Sequence, residues 1–166
     1  MESAIQSALV EISKETYKGD AAWTLAILSE LTRLAYEDFE FYVYGKKCYM
    51  DDTITECLYD MVWYTPMPLD YLPHPQRNSI FRDIHLVLEC EWKKGVDEIM
   101  YDFQKLVQAR AEHRVMIFQS YDTDATVDTM IHYLESAPNS VKGDRYLFAG
   151  YRPQDRKFDF RSFVKN

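Results

Sequence analysis

The stretch that decides the fold is Ile84-His85-Leu86-Val87-Leu88-Glu89-Cys90-Glu91-Trp92-Lys93. An apolar run ends in two carboxylates two residues apart. Side chains alternate faces along a strand, so Leu86, Leu88, Cys90 and Trp92 share one face. His85, Val87, Glu89, Glu91 and Lys93 share the other. Two strand rises separate the two acids by roughly 7 Å. Side-by-side carboxylates at the end of a core strand are costly unless something positive binds between them, and a metal ion is the usual solution.

Working outward, residues 55–64 hold Leu58-Tyr59-Asp60-Met61-Val62-Trp63-Tyr64, a strand expectation with Asp60 on the face of Leu58, Val62 and Tyr64. Aspartate is disfavoured in strands, so it needs a reason there; the plainer account is a turn or strand-end position. Residues 39–45 alternate and are aromatic, which is strand chemistry. Between residues 65 and 79, Pro66, Pro68, Pro73 and Pro75 mark a long loop, and Asp51-Asp52 marks a turn.

Helical periodicity predicts helices over 2–17, 20–37, 95–111 and 123–136. Strands are expected at 84–92, 114–119, 145–151 and 157–164. This order implies one α/β domain over residues 1–166, a mixed central sheet flanked by helices.

Three further side chains bear on Glu89 and Glu91. Glu30 falls within the apolar stripe of Trp23, Ile27, Leu31 and Leu34, so it needs a partner: a cation, or a buried Tyr, Arg or Lys. Lys105 follows Glu98 and Asp102 at i+7 and i+3, where it can reach over the strand end or form a surface ion pair. Lys93 continues the Glu91 face or is a solvated lysine beside Lys94. Together these residues offer carboxylates from a helix and two strands with an ammonium nearby. Hard oxygen donors suit Mg²⁺ or Mn²⁺, which activates water and neutralises charge on a phosphate.

Glu30, Tyr59-Asp60, Leu88-Glu89-Cys90-Glu91 and the following Asp102-Phe103-Gln104-Lys105-Leu106 resemble, in order and pattern, the PD-(D/E)xK nuclease superfamily over roughly residues 20–120. The resemblance implies a restriction-endonuclease-like core and metal-dependent hydrolysis of nucleic acid, DNA first. It implies Glu30, Asp60, Glu89 and Glu91 as site acids, with Asp60, Glu89 and Glu91 on the metal. The motif lysine is replaced by Glu91, so Lys105 from the next helix is expected to supply the ammonium; a shifted register would instead use Glu91-Trp92-Lys93. No proline precedes Asp60. The alternative is an inactive binding or immunity-type protein on the same fold. Such nucleases often work as dimers, and a homodimer or protein partner is compatible with the sequence.

The chain has 166 residues, 47% of them hydrophobic, and a formal net charge of -8. That charge argues against a broad nonspecific grip on nucleic acid. Arg145, Arg152, Arg156, Lys157, Arg161 and Lys165, interleaved with aromatics, are the one basic concentration. They form either a backbone-tracking surface or a protected edge strand. Cys48, Cys57 and Cys90 lack C-x-x-C spacing, which fits a reducing compartment and makes a zinc site among them unlikely on spacing grounds. The sequence shows no signal peptide and no apolar run long enough for a membrane helix, so a cytoplasmic protein is expected.

Overall fold

The computed structural model describes residues 1–45, 58–67 and 81–166. The chain runs α1 (Glu2–Ser13), α2 (Asp20–Asp38), β1 (Tyr42–Gly45), β2 (Met61–Pro66), β3 (Phe81–Glu91), α3 (Val96–Gln108), β4 (His113–Gln119), α4 (Thr123–Ser136), β5 (Arg145–Arg152) and β6 (Lys157–Val164). The six strands form one mixed sheet in the order β1-β2-β3-β4-β5-β6. The β3–β4 and β4–β5 pairs are parallel and the remaining neighbours antiparallel.

Parallel neighbours need crossovers, and α3 and α4 supply them. Two successive crossovers of one hand, stepping the same way across the sheet, must lie on the same face. Accordingly α3 and α4 pack together through Ile99, Phe103, Leu106, Val127, Met130 and Leu134 against Val62, Val87, Met116 and Phe148. The opposite face carries Met61, Trp63, Leu86, Leu88, Val115 and Ile117 beneath Ile5, Leu9, Ile27 and Leu31 of α1 and α2. The result is a sheet between two helical layers, as the element order implied.

Alternation along β3 places its residues as the sequence pattern requires. Leu86, Leu88, Cys90 and Trp92 meet the α1–α2 layer, while Val87 and Glu89 meet α3. Trp92 is covered by α2: its Nε1 donates to Thr24 Oγ1 at 2.8 Å and its ring lies 5.6 Å from Trp23.

Several boundaries move. The first helix stops at Ser13, β1 starts at Tyr42, and β2 starts at Met61, leaving Asp60 in the bend before it. Strand β2 extends into the expected proline loop, to Pro66, and β3 starts earlier than expected, at Phe81. Asp51-Asp52, Pro68, Pro73, Pro75, Cys48 and Cys57 lie outside the described residues.

A bulge also intervenes. Trp63 pairs with Leu86 but Tyr64 pairs with Ile84, so His85 is an extra residue in β3. The bulge turns His85 off the Glu89 face. Its ring stacks on Phe41 at 4.0 Å, with Thr65 Oγ1 2.7 Å from Nε2 and Glu112 Oε2 3.2 Å from Nδ1.

Candidate active site

Glu89 is the structural centre of the candidate site. It lies in the middle of the sheet between β2 and β4, with 2% of its surface exposed. The α3-facing side of β3 is apolar up to Val87, so the carboxylate enters a desolvated environment. Burial pushes its pKa up from the ordinary carboxylate range to about 8, against the pull of Lys105; nearby Asp60 and Asp102 push it the same way as burial.

The ammonium comes from α3. Lys105 Nζ lies 2.8 Å from Glu89 Oε1 and 2.8 Å from Asp102 Oδ1. The Oε1 contact is ionic and off the hydrogen-bonding direction, so that buried oxygen makes no directed hydrogen bond. Burial works against the lysine's charge. Asp102 and Glu89 together outweigh that cost and hold its pKa above the usual lysine value.

Strand and helix geometry explain why these four residues face each other. Because β4 runs parallel to β3, the crossover helix α3 returns antiparallel to β3, with its N-terminus near the strand's C-terminal end. Residues two apart on the strand span roughly 7 Å, and residues three apart on the helix rise roughly 4.5 Å. Glu91 therefore faces Asp102 while Glu89 faces Lys105. The Glu91 carboxyl is within hydrogen-bonding reach of Asp102. Its pKa is raised, first by burial and also by that contact, while the Lys93 amide, donating to Oε1 at 2.7 Å, opposes the rise.

Asp60 approaches from the bend that leads into the neighbouring strand β2. Met61 pairs with Leu88, so Asp60, one residue outward, falls beside Glu89. Its Oδ2 accepts the Cys90 backbone N–H at 2.9 Å, bridging the bend before β2 to the end of β3. Gly45 makes this approach possible: a Cβ there would sit 2.4 Å from the Asp60 carbonyl oxygen. Cys90 itself points to the opposite layer, where burial drives its thiol pKa well above the ordinary value.

Two expected members are placed elsewhere. Glu30 is on α2, the layer covering the opposite sheet face, and pairs with Arg33 at 2.6 Å. Its side chain is 33% exposed, at the margin of the apolar stripe, which is where a local arginine can reach it. Lys93 contributes its backbone amide to Glu91 while its side chain is exposed. Asp102 is the member that sequence reasoning placed only as a surface partner of Lys105. Its i, i+3 spacing to that lysine was the available signal.

The C-terminal basic residues are largely engaged within the chain. Arg152 pairs with Asp155 and Asp159, and Arg161 with Asp124 and Asp128. Arg156 donates to Thr16 Oγ1, and Lys165 to the carbonyls of Leu134 and Glu135. Of these, the Arg161 pairs tie edge strand β6 to α4, and Arg152–Asp159 ties β5 to β6.

Among the described residues, no group of three or more His, Cys, Asp or Glu side chains is arranged to hold a metal ion. A magnesium ion needs fewer protein donors, since it keeps several waters and commonly takes one or two carboxylates. Asp60 and Glu89 supply hard oxygens of that kind. Glu91, turned toward Asp102, stands beside that pair. Among the described residues, no helix is long and apolar enough to cross a membrane.

No family model matches the chain, and no curated protein matches it in sequence.

Proposed function

We propose that the protein is a metal-dependent nuclease of the PD-(D/E)xK type, acting on nucleic-acid phosphodiesters, DNA first. The observation that carries this reading is the delivery of Lys105 from α3 to within 2.8 Å of the buried Glu89 on β3. Asp60, in the bend that leads into the adjacent strand β2, completes the acid pair. The succession α2-β1-β2-β3-α3-β4, with β3 and β4 parallel, supports the same reading.

In this proposal Asp60 and Glu89 bind Mg²⁺ or Mn²⁺, with Glu91 beside them. The bound ion supplies Lewis acidity and a water of lowered pKa. Lys105 places a positive charge where negative charge develops on the phosphate. Glu30 has no part, because its carboxylate is committed to Arg33 on the far layer.

The test is cleavage of a panel of single- and double-stranded DNA and RNA with Mg²⁺ or Mn²⁺, comparing wild type with Glu89→Ala. Activity in wild type and its loss in the variant support the reading; equal activity in both rejects this site.

A second reading rests on a different aspect of the same contact. Lys105 already gives Glu89 an internal counter-ion, the arrangement suited to an inactive binding or immunity-type protein that has kept the architecture. It requires that neither Mg²⁺ nor Mn²⁺ alters the chain's spectra or thermal stability.

A further inference from the structure

We infer that Asp102 is a positioning residue, holding the Lys105 ammonium against Glu89. This inference rests on the proposed nuclease reading for its catalytic consequence, but its structural basis is independent.

A lysine Nζ sits at the end of four rotatable bonds and carries roughly 2 kcal/mol of rotamer entropy. One contact to Glu89 would leave it free to swing about that oxygen. The second contact, to Asp102 Oδ1 at 2.8 Å, comes from the preceding turn of the same helix. Nζ is thereby fixed between a strand and a helix. Asp102 is 16% exposed on its side chain and Lys105 27%, so the pair is shielded from solvent in a way that ordinary surface i, i+3 pairs are not.

Asp102 also faces Glu91. One residue of the same helix thus sets the position of the ammonium. Replacing it by asparagine keeps the volume and a hydrogen-bond acceptor but removes the charge that holds Nζ. Replacing it by glutamate keeps the charge on a longer arm.

The test combines ¹⁵N NMR of lysine ammonium groups with kinetics on wild type, Asp102→Asn and Asp102→Glu. In wild type, Lys105 is expected to show a slowly exchanging ammonium signal, assigned by its loss in Lys105→Met. Asp102→Asn should abolish the signal while the backbone amide spectrum stays native, and Asp102→Glu should restore it. On the most active substrate of the panel, Asp102→Asn should lower kcat by about 10- to 100-fold, the scale of a misplaced catalytic group. KM should stay within about twofold, as for a group acting in the transition state only.

An ammonium signal equally protected in Asp102→Asn overturns the inference. So does an unchanged kcat. If wild type cleaves nothing, the nuclease reading falls by itself and the NMR result still decides what Asp102 does to Lys105.

Discussion

Lys105 Nζ stands 2.8 Å from Glu89 Oε1, joining a partly exposed helix cation to a carboxylate that is 2% exposed in the middle of the sheet. Neither partner is neutral in its effect on the other. The lysine limits the cost of burying the acid, and the acid helps draw the lysine into a half-buried position. Removing the lysine alone leaves a buried acid without its counter-ion, and such losses reach roughly 3–5 kcal/mol in fully buried pairs. With Lys105 still 27% exposed, Lys105→Met should cost about 1–3 kcal/mol at pH 9, where Glu89 is ionised. Adding Glu89→Gln should recover most of that loss. Urea unfolding of the two single variants and the double variant measures the coupling, and additive losses would mean that the contact contributes nothing.

The raised pKa of Glu89 has a definite sign in stability. Its folded value, about 8, lies above its ordinary value of 4.5. Between these two pH values the folded state holds a proton that the unfolded chain has released, so stability falls as pH rises through that window. The fall is on the order of a few kcal/mol, present in full only above the folded pKa. Glu89→Gln, which cannot ionise, should flatten this slope. Unfolding free energies at pH 5, 7 and 9 check it; parallel curves for wild type and variant would remove Glu89 as the cause.

Cation binding should show the opposite trend with pH. In the proposed site a divalent ion requires ionised Glu89, so binding there must expel its proton wherever the carboxyl is protonated. Affinity for Mn²⁺ should therefore rise by about tenfold per pH unit below about 8 and level off above it. Titration calorimetry in buffers of different ionisation enthalpy reads both the affinity and the proton released. An affinity independent of pH would place the ion elsewhere.

The division between what the sequence disclosed and what it did not follows from the range of each interaction. The faces of β3 were legible because alternation is a local property, and Leu86, Leu88 and Cys90 do share the α1–α2 layer. Lys105 was legible because the crossover helix must run back along the strand it follows. His85 was misplaced because a bulge between β2 and β3 depends on pairing across the sheet, which alternation within one strand does not encode. Glu30 was misplaced because the helical stripe gives an angle but not the reach of Arg33 one turn away. Asp102 was read as a surface partner of Lys105 because the opposing carboxyl, Glu91, becomes its neighbour only when α3 lies on β3.

The approach of Asp60 to β3 depends on a residue that never touches Glu89. Gly45 pairs with Met61 at the end of β1, against the backbone of Asp60. An added Cβ would lie 2.4 Å from the Asp60 carbonyl oxygen and 3.0 Å from the Met61 Cα, both backbone atoms that cannot rotate aside. Gly45→Ala must therefore push β1 away from β2 or shift the Asp60 bend, at a cost of about 1–3 kcal/mol as for other overpacked sites. The shift should reach β3 through the Asp60 carboxylate, which accepts the Cys90 amide at 2.9 Å. Hydrogen exchange at the Cys90 amide should accelerate in Gly45→Ala and in Asp60→Ala alike, with the amide of Leu88, inside the β2–β3 ladder, protected in both. Fast exchange at Leu88 as well would mean that the sheet has opened as a whole. Unchanged exchange at Cys90 in Gly45→Ala would show that the bend absorbs the strain without moving the carboxylate.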